Sequence, residues 1–168
     1  MADANVAPRW TTGPSRPALV PELYVSDLDA SIHFYVECLG FEIEYARPEE
    51  RFAALRLGRA HLMLEEAASL GRATPEEFAA GQWRTAPLER PFGRGVNFEI
   101  EVSDVTAIDA RLRATGCPRL LELHEKSYRV GDRLRVVRQL LVADPDGYLM
   151  RLSQPEPSAS NDGPGGGG

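Results

Sequence analysis

Long apolar runs are missing from this chain: no stretch approaches the roughly twenty residues that a membrane span requires, and the first residues carry no basic-then-apolar leader. A cytoplasmic protein without a membrane segment is expected. Cysteine is scarce, with only Cys38 and Cys117, far apart and outside any Cys-x-x-Cys or Cys/His cluster. Both are expected as buried small hydrophobes. Positive charge is in deficit, 19 Lys and Arg against 25 Asp and Glu for a net charge of −6. This disfavours nucleic acid and favours cationic partners. There is no Gly-x-Ser-x-Gly elbow and no glycine-rich phosphate loop following a strand. Gly93 and Gly95 flank Arg94 ahead of a strand, where a turn is expected. No catalytic residue stands out.

What is present is one pattern written twice. Leu19-Val-Pro-Glu-Leu-Tyr-Val25 alternates as a half-buried strand does, and Ser26-Asp27 offers an N-cap to a helix over 28–39 that Gly40 closes. Strand-like runs follow at 41–46, 52–57 and 61–65. The second copy opens on Val96-Asn-Phe-Glu-Ile-Glu-Val102, and Ser103-Asp104 caps a helix to about Thr115, closed by Gly116. Strand-like runs at 120–123 and 134–142 lead to the turn Asp144-Pro-Asp-Gly147 and a last strand over 148–152. The expected fold is α+β: two tandem β-α-β-β-β modules forming a curved, cup-like mixed sheet. The divisions read as an N-terminal arm at 1–16, a first module at 17–66, a connector or lid at 67–94, a second module at 95–154 and a tail at 155–168. Arm and tail, rich in Pro, Gly and Ser, are expected to be mobile, with Trp10 a candidate for packing on a partner subunit. The connector has a helical prospect at 75–80, and Trp83 suggests that it folds over something.

"Val-Ser-Asp-Leu" and "Val-Ser-Asp-Val" before each helix, "Phe-Tyr-x-x-x-Leu-Gly-Phe" at 34–41 and "Asp-Pro-Asp-Gly-x-Leu" at 144–149 together resemble the vicinal-oxygen-chelate superfamily. Leu62-Met-Leu-Glu65, Pro91-Phe-Gly-Arg-Gly-Val-Asn97 and the final strand look like its bleomycin-resistance branch. The resemblance implies two modules that form a concave cup, and two chains that commonly pair as a homodimer to complete the pockets. It also places the metal ligands of the superfamily's enzymes at positions that here are Val20, Met63, Asn97 and Arg151. A residue without a lone pair, a soft thioether and a permanent cation are unfit for a hard or borderline divalent ion, so no metal and no cofactor are expected. His61 and Glu65, both cup-facing, lie too far apart on a strand to share an ion.

Strand alternation assigns the cup. Leu23, Val25, Leu62, Leu64, Ile100, Val102, Met150 and Leu152 should face the helices. Glu22, Tyr24, Met63, Glu65, Asn97, Glu99, Glu101 and Arg151 should face the cup, joined by Phe52 and Trp83. Glu22, Glu65, Glu99 and Glu101 would give one wall a negative field, and Tyr24, Phe52 and Trp83 would supply flat apolar area. This pattern suits a small cationic or planar molecule, such as the bleomycin-type antibiotic the resemblance implies, held by binding alone. The rival expectation is a glyoxalase- or dioxygenase-like enzyme acting on another small metabolite.

Overall fold

A computed structural model describes residues 17–156. Trp10, the arm and all but the first two residues of the expected tail lie outside them. The first module runs β1 (Glu22–Val25), α1 (Leu28–His33), β2 (Glu42–Arg47), β3 (Phe52–Leu57) and β4 (Ala60–Glu66). α1 starts where it does because the Asp27 carboxylate accepts the Ala30 N–H at 3.0 Å. The helix continues without a break through a wider π-type winding over Phe34–Leu39. Gly40, at φ 85°, ends it in the left-handed region that glycine enters without steric penalty.

The connector carries only α2 (Pro75–Ala79), held by a reciprocal capping box between Thr74 and Glu77. The second module runs β5 (Asn97–Glu101), α3 (Val105–Thr115), β6 (Leu121–Val130), β7 (Arg133–Ala143) and β8 (Leu149–Pro155). Asp104 caps α3 at Ala107, as Asp27 caps α1. The fold is the α+β, two-module architecture expected, and each module holds a four-stranded mixed sheet, ordered β1-β4-β3-β2 and β5-β8-β7-β6. In each, the first strand pairs in parallel with the last, Glu22 opposite Met63 and Glu99 opposite Arg151.

The helix-facing sides of both sheets share one core. Val25, Leu64, Tyr35 and Leu39 from the first module meet Val105, Leu112, Leu140, Met150 and Leu152 from the second, all fully buried. Polar ties cross the same boundary. The Tyr35 hydroxyl donates to Asp144 Oδ2 at 3.0 Å, while Ser26 gives its N–H and hydroxyl to Asp146 at 2.8 and 2.6 Å. Arg111 donates to the Leu39 carbonyl at 3.1 Å. With the modules joined back to back, the opposite faces of the two sheets are left open.

Two expectations need correction. Cys38 and Cys117 are not separate thiols: they form a disulfide between the end of the first helix and the residue after Gly116. Spacing along the chain could not show this, because the helix ends meet only once the modules pack. The strand expected at 120–123 extends to Val130, and β6 and β7 form a hairpin whose outer part, beyond Val137, has no third strand beside it. Lys126, Arg129, Arg133 and Arg135 on it are exposed.

Candidate functional site

The open face of the first sheet is a cup of about 500 Å³, inside the roughly 300 to 1,000 Å³ usual for small-molecule sites. Its floor is apolar. Phe52 and Ala54 on β3 are buried on this side of the sheet, and Tyr45 and Met63 pack against them. The Tyr45 and Phe52 rings lie 5.7 Å apart. The rim is charged: Glu22 and Glu65 on one side, Arg47 and Glu50 on the other, with Gln82 and Trp83 of the connector between.

Register explains the arrangement. Glu65 stands opposite Phe52 and Met63 opposite Ala54, so the antiparallel pair β3–β4 delivers floor and rim from adjacent positions. Glu22 and Glu65 are diagonal neighbours across the parallel β1–β4 pair and share a hydrogen bond. Burial, and then that bond and charge of Glu22, push the Glu65 carboxyl up to about 7, against the opposing pull of Arg47 and Gln82. The pair therefore holds a proton at mildly acidic pH. Arg47 places its guanidinium 3.8 Å from the centre of the Phe52 ring and pairs with Glu50. The cup thus already seats a cation on an aromatic face.

The second sheet presents a different surface. Arg151 donates to Glu99 at 2.7 Å and to the Tyr128 hydroxyl at 3.1 Å, and Ser153 donates to the other Glu99 oxygen. The Tyr128 hydroxyl donates to the Gln139 side-chain carbonyl at 3.0 Å, and the Gln139 amide nitrogen meets the His124 ring at 3.1 Å. Arg135 pairs with Glu101 at 3.0 Å. These side chains spend their charge on one another around a shallow hollow of about 240 Å³.

The ten residues singled out from the sequence are therefore divided between two faces. Glu22, Phe52, Met63, Glu65 and Trp83 line the first cup. Glu99, Glu101 and Arg151 belong to the second sheet, and Asn97 stands exposed at its edge strand. A single acidic wall is not formed, because the modules meet through their helix-facing sides. Tyr24 offers the cup little ring surface, since its hydroxyl is engaged by the connector: it donates to the Gly81 carbonyl at 3.2 Å and accepts the Trp83 N–H at 2.6 Å.

Tyr45, Arg47, Glu50 and Gln82 are cup residues that the sequence reading missed. A bulge between Ile43 and Tyr45 breaks the alternation of β2 and leaves Ile43 about half exposed, which hides the face to which Tyr45 belongs. The run Tyr45-Ala-Arg47 opposite Phe52-Ala-Ala54 was the available signal.

The donor set at the superfamily's metal positions does not suit a divalent ion. Val20 and Met63 supply no hard donor, and Arg151 is committed to Glu99 and Tyr128. Among the described residues no group of three His, Cys, Asp or Glu side chains is placed to hold a metal. His61 lies against Glu44 at 3.1 Å, on a different patch from Glu65. Among the same residues no helix is long and apolar enough to cross a membrane.

Two tandem β-α-β-β-β modules with open sheet faces define the vicinal-oxygen-chelate architecture. The chain belongs to the Glyoxalase/Bleomycin resistance protein/Dioxygenase superfamily, whose profile matches residues 18–152. A superfamily member from Vibrio splendidus 12B01 is 34% identical over 80% of this chain and 95% of its own, with a TM-score of 0.35. TioX from Micromonospora sp. ML1 is 22% identical, with coverage of 81% and 96% and a TM-score of 0.58. Lactoylglutathione lyase from Agrobacterium tumefaciens is 21% identical, with coverage of 84% and 96% and a TM-score of 0.55. A comparison with curated proteins gave no match.

Proposed function

We propose that the protein binds a small planar cation in the first-module cup and acts by sequestration, with a bleomycin-type antibiotic as the drug class to test first. The observation that carries this reading is the pairing of an apolar, aromatic floor with the Glu22–Glu65 carboxyl pair at one rim. A flat cationic ligand would take the place of the Arg47 guanidinium on the Phe52 ring and gain area against Tyr45, while its charge reaches carboxylates in a partly dry setting, where charge-assisted bonds are strong. No turnover is needed for such a role.

Calorimetry with bleomycin and with ethidium, a planar cation of fixed charge, tests this. Trp83, exposed at the cup mouth, should act as an anchor, so that Trp83→Ala costs about 1 to 3 kcal/mol of binding. Affinity should also depend on pH. A carboxyl whose ionisation is delayed to about 7 is neutral below that value and charged above it. Cation binding should therefore be roughly tenfold weaker at pH 6 than at pH 7.5, by proton linkage. Glu22→Gln should flatten that slope. Unchanged affinity in Trp83→Ala together with a flat pH profile would move the site elsewhere.

We further propose a symmetric homodimer. Supporting it are the exposed Val130, Leu134 and Val136 on the projecting hairpin. Light scattering should give twice the 18.5 kDa chain mass; a monomer throughout the micromolar range would refute the pairing.

A further inference from the structure

We propose that residues 80–84 form a hinged strap over the first cup and that Tyr24 is the positioning residue that latches it, setting how long a ligand stays. This rests on the cup being the binding site.

The connector around the strap is stapled to itself. Arg84, its side chain 1% exposed, donates to the Gly71 carbonyl at 3.2 Å, the Ser69 hydroxyl at 3.0 Å, Glu77 at 3.0 Å and the Gln82 side-chain carbonyl at 2.5 Å. With the Thr74–Glu77 capping box, these bonds make residues 69–84 one block.

What joins that block to the cup is almost wholly polar. The shared core includes no side chain from 67–91, and Leu70, Phe78 and Trp83 are each about half exposed or more. The strap is held over the first sheet by the two Tyr24 hydroxyl bonds and by the Gln82 amide, which donates to Glu65. A segment held by a few hydrogen bonds and no buried apolar area opens at far lower cost than the core.

Each tie has a distinct role. Gln82 contacts the carboxylate that a ligand cation would use, so an arriving ligand competes with it and weakens that tie. Tyr24 stands directly opposite Glu65 on the neighbouring strand, and its hydroxyl bonds run only to strap backbone, so they persist with the cup occupied. Burial, and then the charge of Glu65, hold the Tyr24 phenol above its ordinary value. It therefore remains a neutral donor to Gly81 throughout the working pH range. The latched amide is Trp83's own, so its side chain is carried with it over the cup mouth.

Tyr24→Phe removes only the hydroxyl. In the full-length protein, amide exchange at Trp83, and at Ala68, whose N–H the Gln82 side chain accepts, should rise about tenfold, while Ala53 and Leu55 in β3 keep their protection. In stopped-flow binding of ethidium, the dissociation rate should rise several-fold with the association rate unchanged or faster. A purely structural role for Tyr24 would loosen β3 as well and leave that rate split absent. Unaltered strap exchange, or an unaltered dissociation rate, overturns the latch while leaving the cup as the binding site. If the strap loosens but the parent binds no ethidium at any concentration, the binding reading fails, and the role as a cover fails with it.

Discussion

Asp146→Ala is expected to lower the unfolding free energy by about 3 kcal/mol, read from urea denaturation at neutral pH. The side chain is completely buried at the boundary between the modules. It accepts the Ser26 N–H and hydroxyl and the Arg90 guanidinium. Alanine would leave the part-buried Ser26 amide and hydroxyl without their carboxylate partner, and would cut a tie spanning 120 residues. Arg90→Ala is the control. That side chain is 61% exposed, so its loss should cost less than about 1 kcal/mol. Equal losses for the two variants would show that the ion pair, and not the buried carboxylate, holds the boundary.

Gly147→Ala is expected to be comparably severe, about 3 kcal/mol by thermal or chemical unfolding. The φ of 90° places the residue where an L side chain is strained, at a cost of roughly 1 to 2 kcal/mol. A β-carbon would also stand 2.3 Å from the Pro91 Cβ and 3.0 Å from its Cα, which adds an overpacking penalty of roughly 1 to 3 kcal/mol. Neither atom is the free end of a flexible chain. Gly131→Ala separates the two contributions: its φ is 60°, but nothing lies within 4 Å, so only the smaller conformational cost should appear. Matching losses at the two glycines would mean that Pro91 yields and the crowding is illusory.

These two residues show why the Asp-Pro-Asp-Gly turn could be recognised in the sequence yet not understood from it. Its spacing announced a turn, and the turn is there, with Gly147 N bonded to the Asp144 carbonyl at 3.0 Å. Its role as the seat for Ser26, Tyr35 and Pro91 depends on contacts more than fifty residues away. The same division runs through the rest of the fold. Asp27, Gly40, Asp104 and Gly116 marked both helices because capping is local chemistry. Alternation correctly sorted Leu23, Val25, Leu62, Leu64, Met150 and Leu152 to the core, since the period of a strand is fixed.

The site was less legible because three of its determinants are not periodic. The β2 bulge hid Tyr45. The meeting of the modules through their helix-facing sides separated Glu99 and Glu101 from Glu22 and Glu65. The connector recruited Tyr24 through a backbone contact that no side-chain pattern encodes. Arg151, assigned by alternation to the same cup as Glu22 and Glu65, lies on the second sheet beside Glu99.

The Cys38–Cys117 bond turns the intervening 79-residue separation into a covalent ring. β2, β3, β4, the strap, β5 and α3 all lie on that ring, while β1 and α1 leave it at one end and β6, β7 and β8 at the other. A single cut anywhere on the ring, including in the exposed connector, opens a circle and releases nothing. The two modules would remain one molecule, as a string of beads knotted to itself keeps every bead when one link is broken.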